Sequence, residues 1–334
     1  MGLPPLALSM GDPAGVGPEL AVAARALARE RALPPFVVIG SRAIIAAAAR
    51  QRGIDVDVIA VTSPAEGAAL FATALPVIDV GHGEYTPGQP DDPGAALAMA
   101  SLTLATELTR HGATRALITG PIAKSRLARI GFAYPGQTEF VAAACGVAAD
   151  DAVMMLAGPH LRVVPITVHV PLADVPRLLT TSLIASRADI AATALTRDFG
   201  LAAPRLAVAG LNPHAGEQGR IGHEDRDVIA PAVARLRDAG FDATGPLSAD
   251  TMFHAAARAT YDLAICMYHD QALIPIKVLD FDEGVNVTLG LPIVRTSPDH
   301  GTAFGIAGRG SAHPGATIAA IRMAAQCADR RAHA

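Results

Sequence analysis

The sequence predicts an α/β protein with much parallel sheet. Short apolar runs alternate with longer Ala-, Leu- and Arg-rich stretches along the chain, the pattern of strands joined by crossover helices. The length of 334 residues suits two domains or one large unit, and 51% hydrophobic against 17% charged residues leaves ample apolar surface for a core. In order, strands are expected at Leu6–Met10, Phe36–Ile39, Val77–Val80, Ala116–Thr119, Val163–His169, Leu206–Leu211 and Leu263–Met267. Helices are expected at Glu19–Arg31, Ala95–His111, Pro176–Asp198 and Glu224–Ala239. A helical stretch ends near Arg129, so "GFAYPGQ", Gly131 to Gln137, is the best candidate for a crossing between domains. From Asn286 on, the chain is rich in Gly and reads as loops that return to the first domain. There is no internal repeat and no low-complexity tail.

Several function classes are disfavoured at once. A net charge of −4 without clustered basic residues gives no nucleic-acid surface. No Trp and 4% aromatics give no stacking platform for bases. The three cysteines, Cys145, Cys266 and Cys327, have neither disulfide-framework nor thiolate-metal spacing and fit a reducing cytosol. The N-terminus lacks a basic region and a long apolar region, so it does not read as a signal peptide. Ala43–Ala49, flanked by Arg42 and Arg50, is too short to span a bilayer. The chain reads as a cytoplasmic protein without nucleic-acid or membrane partners.

Polar residues gather at the carboxyl ends of the expected strands, where open α/β sheets bind ligands. "GDPAGVGPEL" after the first strand offers Gly11, Gly15 and Gly17 for a tight loop, and Pro18–Glu19 to open a helix whose N–H groups favour an anion. The plainer reading is an ordinary βα turn, because the Gly-Lys-Ser/Thr of a P-loop is missing. Lys124, in the first turn after "TGPIA", opposes the helix dipole; it is either solvated or in contact with an anion. His169, His214 and His269 each follow an apolar run. One such histidine is usually structural, but three at equivalent strand ends can meet on a divalent metal. His82, His111, His160, His223, His254, His313 and His333 sit in polar contexts and read as solvated. Asp270 beside His269, and Asp250 in "GPLSADT", could orient an imidazole or move a proton; Asp250 equally suits a helix cap. Lys277, Asn286 and Arg295 are anion partners set among apolar residues, and Arg295 can give a bidentate fork. No G-x-G-x-x-G follows a strand, so a Rossmann cofactor site is not supported.

On these motifs the chain resembles the 4-hydroxythreonine-4-phosphate dehydrogenase family, NAD-dependent enzymes of pyridoxine phosphate synthesis. The likeness runs in order through "MGDPAGVGPE", "TGPIAKSRL", "PGQTEF", "VHVPL", "GLNPHAGE", "GPLSADT", "MYHDQ", "GVNVTLGLP" and "RTSPDHGTAF" and covers nearly the whole chain. The family is itself similar to isocitrate and isopropylmalate dehydrogenases, whose cofactor loop "DHGTAFGIAGRG" resembles. The resemblance implies two α/β/α domains with a central cleft: residues 1–130 plus 287–334 for the first and 131–286 for the second. It implies metal ligands His169, His214 and His269, one of them donated across a homodimer interface, with zinc, cobalt or magnesium as the ion. It implies substrate contacts at Thr138, Lys277, Asn286 and Arg295, and NAD against Asp299, His300, Gly301 and Thr302. Gln137 stands where the family usually has His; it keeps hydrogen-bonding ability but carries no charge. The implied reaction is oxidation of 4-phosphooxy-threonine at its 3-hydroxyl, then decarboxylation, with Asp250 or Asp270 as proton acceptor. Related dehydrogenases act on phosphorylated erythronate or threonate, or on aromatic dihydrodiol carboxylates. From other classes, a metallohydrolase explains the histidines but not the Gly-rich C-terminal loop, and a phosphate-ligand binder needs no catalysis.

Overall fold

The expected apolar runs form strands in the computed structural model, which describes residues 3–333. The chain makes two units. The first holds the chain up to Ala152 together with Leu291–Asp329; the second holds Val153–Gly290 and the chain end from Arg330. The division therefore falls at 152/153 and not at 130/131. Residues after "GFAYPGQ" stay with the first unit because Val141 and Ala142 are fully buried in its core and Phe132 packs with Phe140.

In the first unit, β1 (Leu6–Ser9), β2 (Phe36–Gly40), β3 (Val58–Ala60), β4 (Leu75–Asp79), β5 (Leu117–Thr119) and β12 (Arg295–Pro298) lie in the order β3-β4-β2-β1-β5-β12. Every pairing is parallel. Helices α1 (Gly17–Ala26), α2 (Arg42–Arg52), α3 (Pro64–Leu70), α4 (Asp92–Arg110), α5 (Lys124–Arg129) and α6 (Gln137–Ala144) join them, and α12 (Gly315–Arg331) follows β12. β1, β2 and β5 are buried along their whole length, as central parallel strands covered on both faces must be. The Asp91 side chain caps α4 by accepting from Gly94 N at 2.7 Å. β1 connects through α1 to β2 on one side, whereas β5 on its other side is reached from β4 through α4, so the strand order reverses between β1 and β5, the place where open α/β sheets bind ligands.

In the second unit, β6 (Val153–Ala157), β7 (Arg162–Pro165), β8 (Arg205–Ala209), β9 (Asp242–Leu247), β10 (Leu263–Cys266) and β11 (Val285–Leu289) lie in the order β11-β6-β7-β10-β8-β9. β11 with β6 and β6 with β7 are antiparallel; the rest are parallel. The helices are α7 (Val175–Leu178), α8 (Thr181–Phe199), α9 (Ala230–Asp238), α10 (Ala255–Arg258) and α11 (His269–Asp280). The expected helix 176–198 is broken, since Thr180 leaves helical geometry to cap α8, accepting from Leu183 N. The Gly-rich stretch from Asn286 is not all loop. It supplies β11 and β12, whose Val, Thr and Leu residues fit a pleated buried surface. Among the described residues no helix is long and apolar enough to cross a membrane.

One buried ion cluster gives a test of stability. Asp198, nearly buried at the end of α8, accepts from Arg331 Nε at 2.7 Å and from Arg197 Nε at 2.8 Å. Burial pushes its carboxyl pKa up, but the Arg331 and Arg197 hydrogen bonds outweigh this and hold it below the usual carboxylate range. The folded value lies below the unfolded one, so this stabilisation is present above the unfolded pKa and lost as pH falls through the folded one. Asp198→Asn is expected to cost roughly 3 kcal/mol at neutral pH in urea unfolding. The gap from the parent should narrow progressively below about pH 4. A cost that does not change with pH would show that the charges are immaterial.

Candidate active site

The loops after β1 and β5 meet at this reversal of strand order. Asp12 N donates to Pro121 O at 2.8 Å and Gly120 N to Ser9 O at 3.1 Å, so the two loops lie backbone to backbone. Glycine is required here: a Cβ on Gly11, whose φ is +74°, would stand 2.5 Å from Pro121 O. Burial raises the Asp12 carboxyl above its ordinary range, against the hydrogen bond from Ala14 N.

Arg295 opens β12 in register with Leu117, the first residue of β5, and is 3% exposed. Its Nη2 donates to Thr119 Oγ1 at 2.7 Å and its Nη1 to Thr138 Oγ1 at 3.2 Å. Burial pushes the guanidinium down to about 10, with Glu139 opposing, so it stays charged at neutral pH. Gln137, at the start of α6, donates from Nε2 to Gly120 O at 3.1 Å, and its buried Oε1 has no hydrogen-bond partner. The N-terminus of α6 has no side-chain cap. A fixed buried cation, oriented hydroxyls and open helical N–H groups together suit an anionic ligand. Thr119 and Glu139 belong to this cluster and were not singled out in the sequence, because neither stands in a pattern that distinguishes it from strand or helix filler. Lys124 is exposed at the start of α5, as its first-turn position implied.

The Gly-rich loop 299–310 is tied to the same unit. Val16 N donates to Thr302 O at 3.0 Å, and Gln51 Nε2 donates to Gly308 O at 2.8 Å. Gly301 is exposed, and a Cβ there would meet nothing within 4 Å. His300 Nδ1 lies 3.0 Å from Gly301 O, and its buried Nε2 has no hydrogen-bond partner. A backbone face open to close approach, next to an unsatisfied imidazole nitrogen, fits a dinucleotide lying along Asp299, His300, Gly301 and Thr302.

The three histidines belong to the second unit. The strand expected through His169 stops at Pro165; Ile166 N and Thr167 N still donate to Cys266 O and Met267 O at 2.7 and 3.2 Å, and the chain then enters a loop. His169 instead sits in a loop with φ +49°, and His214 in a turn with φ +52°. Left-handed backbone costs a non-glycine residue roughly 1–2 kcal/mol, so both are held there by their surroundings. His269 is the first residue of α11, and its Nδ1 lies 2.7 Å from Asp270 Oδ1. The rings of His169 and His269 are 5.7 Å apart and face one cavity of about 270 Å³, lined also by Thr167, Val170, Tyr268 and Asp270. His214 Nδ1 is instead 3.5 Å from Glu217 Oε1. Among the described residues no three His, Cys, Asp or Glu side chains of one chain are placed to hold a metal ion together. Two imidazoles on one cavity fit part of a divalent-ion shell, and one of them has a carboxylate on its other nitrogen.

Asp250 lies exposed in a single helical turn whose cap residue, Ser248, makes no side-chain capping bond. Lys277 places Nζ 5.6 Å from the Phe281 ring, and the buried Asn286 Oδ1 has no hydrogen-bond partner. His160 is not merely solvated: its Nδ1 is 2.6 Å from the buried Asp280 Oδ1. Gln271, in "MYHDQ", accepts from Met267 N at 2.6 Å and donates to Gly210 O at 2.7 Å. It thereby ties the end of β10, before His269, to the end of β8, before His214. Nothing in its sequence context reveals that role.

A model of the family "Pyridoxal phosphate biosynthetic protein PdxA" matches residues 32–324. The chain belongs to the PdxA family. A curated relative, the 4-hydroxythreonine-4-phosphate dehydrogenase of Erythrobacter litoralis, is 57% identical over 330 residues, covering 99% of this chain and 98% of its own. The solved 4-hydroxythreonine-4-phosphate dehydrogenase of Klebsiella pneumoniae superposes with a TM-score of 0.87 at 37% identity, covering 98% of both chains. A terephthalate 1,2-cis-dihydrodiol dehydrogenase of Burkholderia xenovorans reaches a TM-score of 0.66 at 31% identity, covering 97% of this chain and 98% of that one. These PdxA relatives are named as oxidoreductases, and the mixed α/β units are of the dehydrogenase type.

Proposed function

We propose that the chain oxidises the 3-hydroxyl of 4-phosphooxy-L-threonine with NAD and a divalent metal. The β-keto acid then loses CO₂ to give 3-amino-2-oxopropyl phosphate for pyridoxine 5′-phosphate synthesis. The observation that carries this reading is the buried Arg295 guanidinium, oriented by Thr119 and Thr138, in a PdxA-family chain. Arg295, Thr138, Lys277 and Asn286 would hold the phosphate and fix the substrate, and Gln137 would add a neutral hydrogen-bonding group. His169, His214 and His269 would hold zinc, cobalt or magnesium. NAD, which Asp299, His300, Gly301 and Thr302 would hold, would supply the hydride acceptor, and a metal held by the histidines would supply Lewis acidity at the substrate oxygen. Asp270 is engaged with His269, so it orients that imidazole. Asp250 is then the stronger candidate to take the hydroxyl proton. Loss of CO₂ breaks the C–COO⁻ bond, and the resulting enolate is protonated at carbon.

A cytoplasmic homodimer completes the reading. Two of the three histidines share a cavity in one chain, which leaves a position for His214 of a second copy. Ile274 and Val278 on α11 and Phe281 at its carboxyl cap are 62%, 79% and 72% exposed and recur at helical spacing, an apolar stripe suited to such a partner. The likeness to the terephthalate dihydrodiol dehydrogenase, with Gln137 in the substrate pocket, favours an aromatic dihydrodiol dicarboxylate as the second reading. NADH formation on 4-phosphooxy-threonine, measured beside phosphate release, tests the proposal. Phosphate release without NADH would indicate a hydrolase instead.

The cofactor assignment has its own test. Gly301 has room for a side chain, so Gly301→Val should fold normally. It should nevertheless raise KM for NAD by about tenfold, because the branched side chain blocks close approach to the backbone. An unchanged KM would move NAD off this loop.

A further inference from the structure

We infer that Asp225 is the positioning residue for His214, its buried carboxylate holding the left-handed turn that presents the imidazole. The inference rests on the proposed reading of His214 as a metal ligand. After β8 the chain must leave the sheet, and its N–H groups need new acceptors. Asp225, 2% exposed, supplies them. Its Oδ1 accepts from Leu211 N at 2.7 Å; its Oδ2 accepts from Asn212 N at 3.1 Å and from Asn212 Nδ2 at 2.8 Å. The backbone is shaped round the same two oxygens. A Cβ on Gly210 would lie 2.6 Å from Oδ1, and one on Gly216 would lie 3.1 Å from Oδ2. The carboxylate therefore touches the turn both where it begins and in its middle.

Between those points the chain makes a run of left-handed residues. His214, Ala215, Gly216, Glu217 and Gln218 have φ of 52°, 52°, 74°, 41° and 60°. Only one of them is glycine, so local preference opposes the conformation and contacts from outside must impose it. No hydrogen bond joins Asp225 to the His214 ring; the link runs through the backbone of 211–216. Asn212 reinforces it by also donating to Glu224 Oε2 at 2.8 Å.

Asp225→Asn keeps the shape but sets a donor against an N–H. With cobalt(II) as the probe on the full-length protein, it should weaken binding about tenfold or more, the usual effect of losing a group that orients a metal ligand. Activity should recover as cobalt is raised. If that variant does not fold, Asn212→Ala carries the test: it removes one donor and should weaken cobalt binding while leaving the melting transition near that of the parent. His214→Ala is the reference. Wild-type cobalt affinity in His214→Ala would overturn the metal reading and this inference with it. Weakened binding in His214→Ala, but parental affinity in Asp225→Asn and Asn212→Ala, would overturn only the inference. Lowered stability with unaltered cobalt affinity would do the same, leaving Asp225 a purely structural role.

Discussion

Replacing His169 or His269 by alanine is expected to lower kcat by about a thousandfold or more while moving the melting temperature little. Both side chains face one cavity with their rings 5.7 Å apart, and His169 is exposed, so neither supplies much core packing. If they hold a divalent ion, each loss removes part of the Lewis acid that stabilises charge on the substrate oxygen, worth several kcal/mol. At about 1.4 kcal/mol per decade, that is the thousandfold expected. Equal collapse of activity and stability in both variants would instead make the histidines structural. Metal content of the purified variants, measured beside kcat, separates lost metal from misplaced substrate.

The second large effect concerns phosphate. Removing one partner of a buried charge pair costs roughly 3–5 kcal/mol, so a substrate lacking the phosphate that Arg295 would grip forfeits about two to nearly four decades in kcat/KM. The parent protein should therefore oxidise 4-phosphooxy-threonine at least a hundredfold faster than 4-hydroxythreonine, within that range. Arg295→Gln should lose most of the activity on the phosphorylated substrate and change the unphosphorylated one little, which collapses the discrimination. Because burial brings Arg295 down to about 10, the preference should be level across neutral pH and decline as pH approaches that value. Restoring histidine, Gln137→His, should leave the preferred substrate unchanged. Equal rates on both amino acids, or a preference for a dihydrodiol dicarboxylate, would place the chain in the right family with the wrong substrate.

Much of this protein was legible in its sequence for a physical reason. Burial on both faces makes parallel strands into continuous apolar runs, so β1, β2, β4, β5, β7, β8 and β10 could be read directly. Chemistry at the strand ends follows from the same architecture, and that pattern brought the three histidines into view; Arg295 stood out instead as a cation set among apolar residues. β3, at three residues and mostly exposed, and β9, interrupted by Gly245 and Pro246, lack the apolar signal and were missed.

What only the tertiary structure decided is how those residues are held. The sequence by itself determined the α/β class and the position of most strands along the chain, and it offered candidate residues for metal, anion and cofactor, because each depends on local pattern and side-chain chemistry. It could not reveal that His169 and His214 adopt left-handed backbone, since neither is glycine and the conformation is imposed from outside by contacts. It could not reveal Asp225 or Gln271, whose partners are backbone groups brought near only by folding. Nor could it place the unit boundary at 152/153, because the packing of Val141 and Ala142 depends on side chains distant in the chain. Periodicity and residue type are properties of neighbours along the chain; buried hydrogen bonds and imposed dihedrals are properties of neighbours in space.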